Sequence, residues 1–356
     1  TMKRAIWGLL ITIALTAGAS ADNLSISQID ASSLLVTQKV QLYVSVTDET
    51  GNSVKGLSEE HFTVAEAPGE AGFQAVPELV AVEERPNKEE GIHIMLLVDN
   101  SGSMYDTLRG GSTEDRERMR ITHAKRAITE FVGSSFNPKD VVSLASFNTK
   151  MELHSQAIKD PSTSEGLLAS IERPERERAY TELYNSLVRS VRETADNRGR
   201  KVIVVLSDGE NYPYLEHAEE PNPQFGSRLP APEEVTEAFQ KEGITLYAVH
   251  FGAEKDRNLG DIALRTGGSV YDARNKEELA NVYRDIKRKI ENEYRITYRP
   301  AMIPAERTRV QVEYQKGGRE AASERFYYTS TIFGMPMEPF PYLILLLIPA
   351  ALLLWF

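Results

Sequence analysis

The chain has 356 residues, no cysteine and a formal net charge of −11. Its length accommodates two or three domains, one of them with a large core. The missing cysteines exclude disulfides, thiolate zinc sites and cysteine nucleophiles, and an acidic balance without a basic patch argues against a nucleic-acid partner.

The chain opens with Met2-Lys3-Arg4, an apolar run over 5–17 and then Ala19-Ser20-Ala21. This order is that of a secretory signal peptide, residues 1–21, with cleavage after Ala21. Residues 22–85 read as a β module. The stretch 40–46 alternates with period two, DETGN at 48–52 is a turn signal, and 61–64 and 79–82 give further short strands. Residues 85–91 read as a polar linker containing Pro86.

Over 90–292 the pattern changes to strand, helix, strand. Residues 92–98 form a nearly unbroken apolar run, too short for a buried helix and suited to a strand covered on both faces. Residues 116–131 predict a helix, 141–147 a buried strand, and 151–154 an edge strand. Helices are expected to start at Ser164 and Thr181, with strands at 201–206 and 244–251, helices at 233–242, 259–266 and 276–291, and a short strand at 269–271. The alternation predicts an α/β fold with a doubly wound, mostly parallel sheet.

Residues 293–331 return to β character, with strands expected at 294–298, 309–314 and 325–329. Together with 22–85 they supply about seven strands, the usual count for one immunoglobulin-like β-sandwich. The α/β domain is therefore expected to interrupt a discontinuous sandwich. Residues 340–356 are apolar and uncharged, with Tyr342 and Trp355 placed as interfacial aromatics, and predict a transmembrane helix. The two ends together imply export, with the body outside the cytoplasm, in the periplasm of a bacterial inner membrane or beyond the cell.

The chemistry begins where the first buried strand stops, with Asp99, Ser101 and Ser103 in the spacing D-x-S-x-S. Three hard oxygen donors at a strand end suggest Mg²⁺, Mn²⁺ or Ca²⁺, although the same residue types also suit a helix cap. Asp208 follows the strand at 201–206, and Thr181 opens a helix on the same edge. In a doubly wound sheet, ligands bind at the carboxyl ends of strands where the strand order reverses. If these two strands are neighbours there, their carboxylates face one another and a cation relieves the repulsion.

Over about 90–292 the chain resembles a von Willebrand factor type A domain. That family's metal-ion-dependent adhesion site is D-x-S-x-S, then a distant Thr, then a distant Asp. Asp99, Ser101 and Ser103 match the first element, Thr181 in TELYNSL the second, and Asp208 in LSDGEN the third. The resemblance implies that the three hydroxyls ligate the metal directly and the aspartates act through water. It also implies a sixth position taken by a Glu or Asp of a protein partner. One departure is present: Ala179-Tyr180 stand where glycines usually precede the threonine.

The loops at 104–114 and 210–232 are expected to rim the metal, with Tyr105, Asp106, Tyr212 and Tyr214 as partner contacts. No H-E-x-x-H, G-x-S-x-G or G-x-x-x-x-G-K-[ST] is present. The expected function is non-enzymatic: a membrane-tethered protein that binds an acidic residue of its partner through the metal. The alternative is an assembly or scaffold subunit of a membrane complex. A metal-dependent hydrolase is the weakest reading, with Asp106 and Glu210 as the only general bases nearby.

Overall fold

The computed structural model describes residues 22–134, 137–158, 160–252, 256–273 and 275–329. The expected signal segment 1–21 and the apolar segment 340–356 lie outside the described residues. Among the described residues no helix is long and apolar enough to cross a membrane.

The chain builds two β-sheets that share one core, with an α/β domain inserted between their strands in sequence. The first segment contains β1 (Asn23–Asp30), α1 (Leu34–Thr37), β2 (Val40–Thr47), β3 (Phe62–Pro68), β4 (Gln74–Ala75) and β5 (Glu78–Glu84). Residues 85–91, expected to be a linker, instead hold the short helix α2 (Pro86–Glu90), which starts from Arg85 in the left-handed region. Proline at its first position suits a helix start, where its missing N–H is not needed.

The α/β domain then runs β6 (His93–Asp99), α3 (Arg120–Ser134), β7 (Val141–Phe147), β8 (Met151–Ile158), α4 (Pro161–Ser170), α5 (Leu183–Thr194) and β9 (Lys201–Ser207). It continues with α6 (Tyr214–Ala218), α7 (Pro232–Lys241), β10 (Thr245–His250), α8 (Arg257–Arg265), β11 (Val270–Asp272) and α9 (Lys276–Glu291). The last strands are β12 (Tyr294–Arg299), β13 (Arg307–Lys316) and β14 (Arg319–Tyr328). The helix expected over 116–131 is broken: a 3-10 turn at Arg116–Arg118 ends at an extended Met119, and α3 begins after it.

The central sheet has the order β11-β10-β9-β6-β7-β8, parallel except for β8 at the edge. The strand β6 shows why it forms. Its alternate residues Ile94, Leu96 and Val98 enter the core beneath α3 and α9, whereas Met95 and Leu97 enter the core beneath α5, α7 and α8. A strand with helices on both faces must be apolar on both sides. Each such side chain contributes about 1.5–3 kcal/mol on burial. After β6 the chain moves outward through β7 and β8, and it later returns to place β9 on the other side of β6. The order reverses between β6 and β9, which pair in register up to Val98 and Leu206.

The flanking strands make two four-stranded sheets, β1-β2-β12-β5 and β14-β13-β3-β4, which share one apolar core. Pairing of β12 with β2 and β5, and of β13 with β3, joins the segments before and after the α/β domain. The α/β domain leaves the sandwich after β5 and re-enters at β12, and Glu84 of one is paired with Tyr294 of the other.

At the amino edge of the central sheet, Arg200 links the two parts. It is buried and donates to both oxygens of Glu293 at 2.7 and 2.8 Å, to Gln28 Oε1 at 3.0 Å and to Thr245 Oγ1 at 2.7 Å. Nearby, Gly243 has φ +59°, and a Cβ there would lie 2.4 Å from the Ile29 carbonyl oxygen. Only glycine permits this approach of α/β domain and sandwich.

Candidate metal centre

The reversal between β6 and β9 brings the sequence-predicted carboxylates to one place. Asp99 ends β6 and is 0 % exposed. Its Oδ1 accepts the Ser101 amide at 2.8 Å, and its Oδ2 accepts the Ser207 hydroxyl at 2.7 Å. Asp208, directly after β9, is also buried. Its Oδ1 accepts the Ser103 hydroxyl at 2.8 Å, and the Ser101 and Ser103 oxygens lie 3.1 Å apart. One chain of short contacts thus joins four of the five expected ligands.

The turn after β6 is held from outside. The Asn100 amide donates to the Phe147 carbonyl at 2.7 Å, and its side chain donates to the Glu172 carbonyl at 2.9 Å. The Gly102 amide donates to the Ala179 carbonyl at 3.0 Å, and a Cβ on Gly102 would lie 3.3 Å from the Ala179 Cβ. Glycine here answers close packing against the neighbouring loop. That contact also brings the fifth expected ligand to the same edge: Thr181 follows Ala179 by two residues. Thr181 and Tyr212 exchange both backbone hydrogen bonds, at 3.0 and 2.9 Å.

Two residues that the motif does not contain complete the site. Ser207 orients Asp99, as described. Arg120, the first residue of α3, is buried, and its Nη1 hydrogen-bonds Asp208 Oδ2 and donates to the Ser103 carbonyl at 3.1 Å. The carboxyls feel this enclosure. Burial, with the Asp208 charge second, pushes Asp99 up to about 7. Burial also raises Asp208, against the lowering effect of Arg120 and Ser103.

The arrangement fits a hard divalent cation. It offers two buried carboxylates and hydroxyl oxygens, with no nitrogen or sulfur ligand. Among the described residues no group of three or more His, Cys, Asp or Glu could hold a metal. A cation here therefore depends on the hydroxyls.

The expected rim residues divide. Tyr105 is a correction: it is 6 % exposed and its hydroxyl donates to Asn100 Oδ1 at 2.8 Å, so it supports the turn and offers no contact face. Asp106 is half-buried and bridges to Ser112. Tyr212 is 50 % exposed, beside Thr181. It stacks between Tyr180 and His217, with centroids at 5.9 and 3.3 Å, and Tyr214 meets Tyr180 edge-on at 5.1 Å. Buried Glu182 ties this loop down. It accepts the Tyr214 amide at 2.8 Å and the Asn222 side chain at 2.7 Å on one oxygen, and the Asn185 side chain at 2.8 Å on the other.

No curated protein matches the chain. Among solved structures, an aerotolerance-related membrane protein from Bacteroides fragilis (with multiple mutations to serines) is 19% identical, with TM-score 0.42, over 56% of this chain and 98% of that one. The conserved hypothetical protein BatB from Bacteroides thetaiotaomicron is 17% identical, with TM-score 0.39, over 56% and 97%. Proximal thread matrix protein 1 from the mussel byssus, described with a zinc-occupied metal-ion-dependent adhesion site motif, is 16% identical, with TM-score 0.41, over 58% and 47%. The family model of the von Willebrand factor type A domain matches residues 93–285, from the start of β6 into α9. The chain therefore belongs to the von Willebrand factor type A domain family.

Proposed function

We propose that the protein is a non-enzymatic binding protein that grips an acidic side chain of a protein partner through a divalent metal, Mg²⁺ being the ion of choice and Mn²⁺ or Ca²⁺ the substitutes. Asp99, Ser101, Ser103, Thr181 and Asp208 hold the ion. The observation that carries this reading is the meeting of Asp99 and Asp208 from neighbouring strand ends, linked through the Ser101 amide and the adjacent Ser101 and Ser103 hydroxyls. Hydroxyls make up most of such a set, and a coordination position is left for an anionic ligand. Tyr212 and Tyr214 flank the metal as partner contacts. The flanking sandwich is read as an immunoglobulin-like stalk, and the segments 1–21 and 340–356 as the export signal and the membrane tether.

A pull-down from detergent-solubilised membranes tests this, with the full chain as bait in Mg²⁺ or in EDTA. Wild type with metal is expected to retain a partner that EDTA and Asp99→Ala/Ser101→Ala both release. Equal retention in all samples would place recognition elsewhere.

A further inference from the structure

Arg120 is a buried cation within the site, and the motif gives it no part. Its guanidinium holds Asp208 Oδ2 and the Ser103 carbonyl, while Asp208 Oδ1 faces the Ser103 hydroxyl. It therefore covers one side of the carboxylate and leaves the other towards the hydroxyls. Its Nε is buried without a hydrogen-bond partner. A guanidinium is costly to bury, and Asp208 is the only anion it pairs with among the described residues.

We propose that Arg120 is a fixed counter-cation of the metal site: it neutralises Asp208, keeps the intrinsic metal affinity low, and makes a partner's carboxylate necessary for tight metal binding. This rests on the metal-dependent reading above. With a divalent ion in place, two carboxylates and one guanidinium leave the site with one positive charge. A carboxylate from outside cancels that charge. Without Arg120 the two aspartates alone would balance the ion, and the incoming carboxylate would gain nothing from net charge. Arg120 thus turns a cation site into a joint site for a cation and an anion, in which each ligand tightens the other.

The test is Mn²⁺ titration of the full-length chain in detergent, followed by electron paramagnetic resonance, with and without acetate as the carboxylate probe. Arg120→Gln is expected to bind Mn²⁺ about tenfold tighter than wild type, as expected for removing a like charge a few ångströms from the ion. It should also lose the tightening by acetate that wild type shows. Arg120→Lys should keep the wild-type pattern. Folded Arg120→Gln that binds Mn²⁺ no tighter than wild type overturns the proposal, as does wild type whose Mn²⁺ affinity is indifferent to acetate. That second readout needs no variant and stands if Arg120→Gln does not fold. Wild type that binds no Mn²⁺ overturns the metal-dependent reading and this proposal together.

Discussion

Asp99 is aimed by two donors, and one of them, Ser207, lies on a different strand from the aspartate it serves. Outer hydrogen bonds of this kind fix a ligand's orientation, and their loss typically costs ten- to hundredfold in metal affinity. Ser207→Ala is accordingly expected to weaken Mn²⁺ binding about tenfold while the circular dichroism spectrum stays unchanged; unchanged affinity would show that Ser207 has no orienting role. The meeting of Asp99, Ser101, Ser103 and Asp208 at two neighbouring strand ends was legible because these residues directly follow apolar runs of strand length. Ser207 and Arg120 were not: a serine beside the motif aspartate reads as turn chemistry, and an arginine within the helix expected over 116–131 reads as surface. A second residue-scale case lies in the sandwich. Buried Glu66 accepts Tyr298, Tyr327 and the Ala301 amide at 2.7, 2.9 and 3.3 Å. Burial outweighs these donors and raises its carboxyl. The folded state then holds the proton more tightly than the unfolded chain, so stability from Glu66 is lost as pH rises through the raised value. Glu66→Gln should therefore gain on wild type in urea unfolding as the pH rises from acid through the raised value. A difference that does not move with pH would contradict the assignment.

The loop between β9 and α7 depends on α5 for its shape, because the carboxylate of Glu182, just before that helix, takes three donors from three places. Removing an acceptor strands its buried donors, at about 1–3 kcal/mol. Glu182→Ala is expected to destabilise the domain by about 2 kcal/mol and to open the loop to limited proteolysis near Tyr214. Protease resistance equal to wild type would show that the loop is held otherwise. Elements with a strong period were legible from sequence: α9 occupies the expected residues 276–291, and β6, β7, β9 and β10 lie where apolar runs of strand length predict them. The strand β14 was legible only over its last residues. Its first half, Arg319 to Ser323, carries no apolar alternation, and its register comes from pairing with β13 from Lys316 and Arg319 onward. The local cue was Gly317-Gly318, both with positive φ, the turn signature of a two-residue hairpin.

Across the whole molecule, the candidate metal centre lies at the carboxyl edge of the central sheet and the Arg200–Glu293 pair at the amino edge, against the sandwich. Breaking a buried ion pair leaves one charge without a partner, at about 3–5 kcal/mol. Arg200→Ala is expected to lower stability by that amount and to increase hydrogen exchange along β1 and β12 without changing Mn²⁺ affinity. A loss of metal affinity would instead show that the two edges are coupled. No local pattern announced this pair, since Arg200 and Glu293 each read as ordinary charged residues beside a strand. The adjacency of β5 and β12 has a further consequence, for the order of events at synthesis. The sheet β1-β2-β12-β5 cannot close until β12 has been made, and the entire α/β domain lies between its strands in sequence. The α/β domain is contiguous and emerges before β12, so it can fold while the half-built sheet waits with the edges of β2 and β5 open. Such edges invite pairing with other chains. Once the inserted domain has folded, its ends meet at Glu84 and Tyr294, so it delivers β12 to its slot at little cost in loop entropy. The domain that carries the candidate metal centre thus also acts as the clasp that lets its own support close.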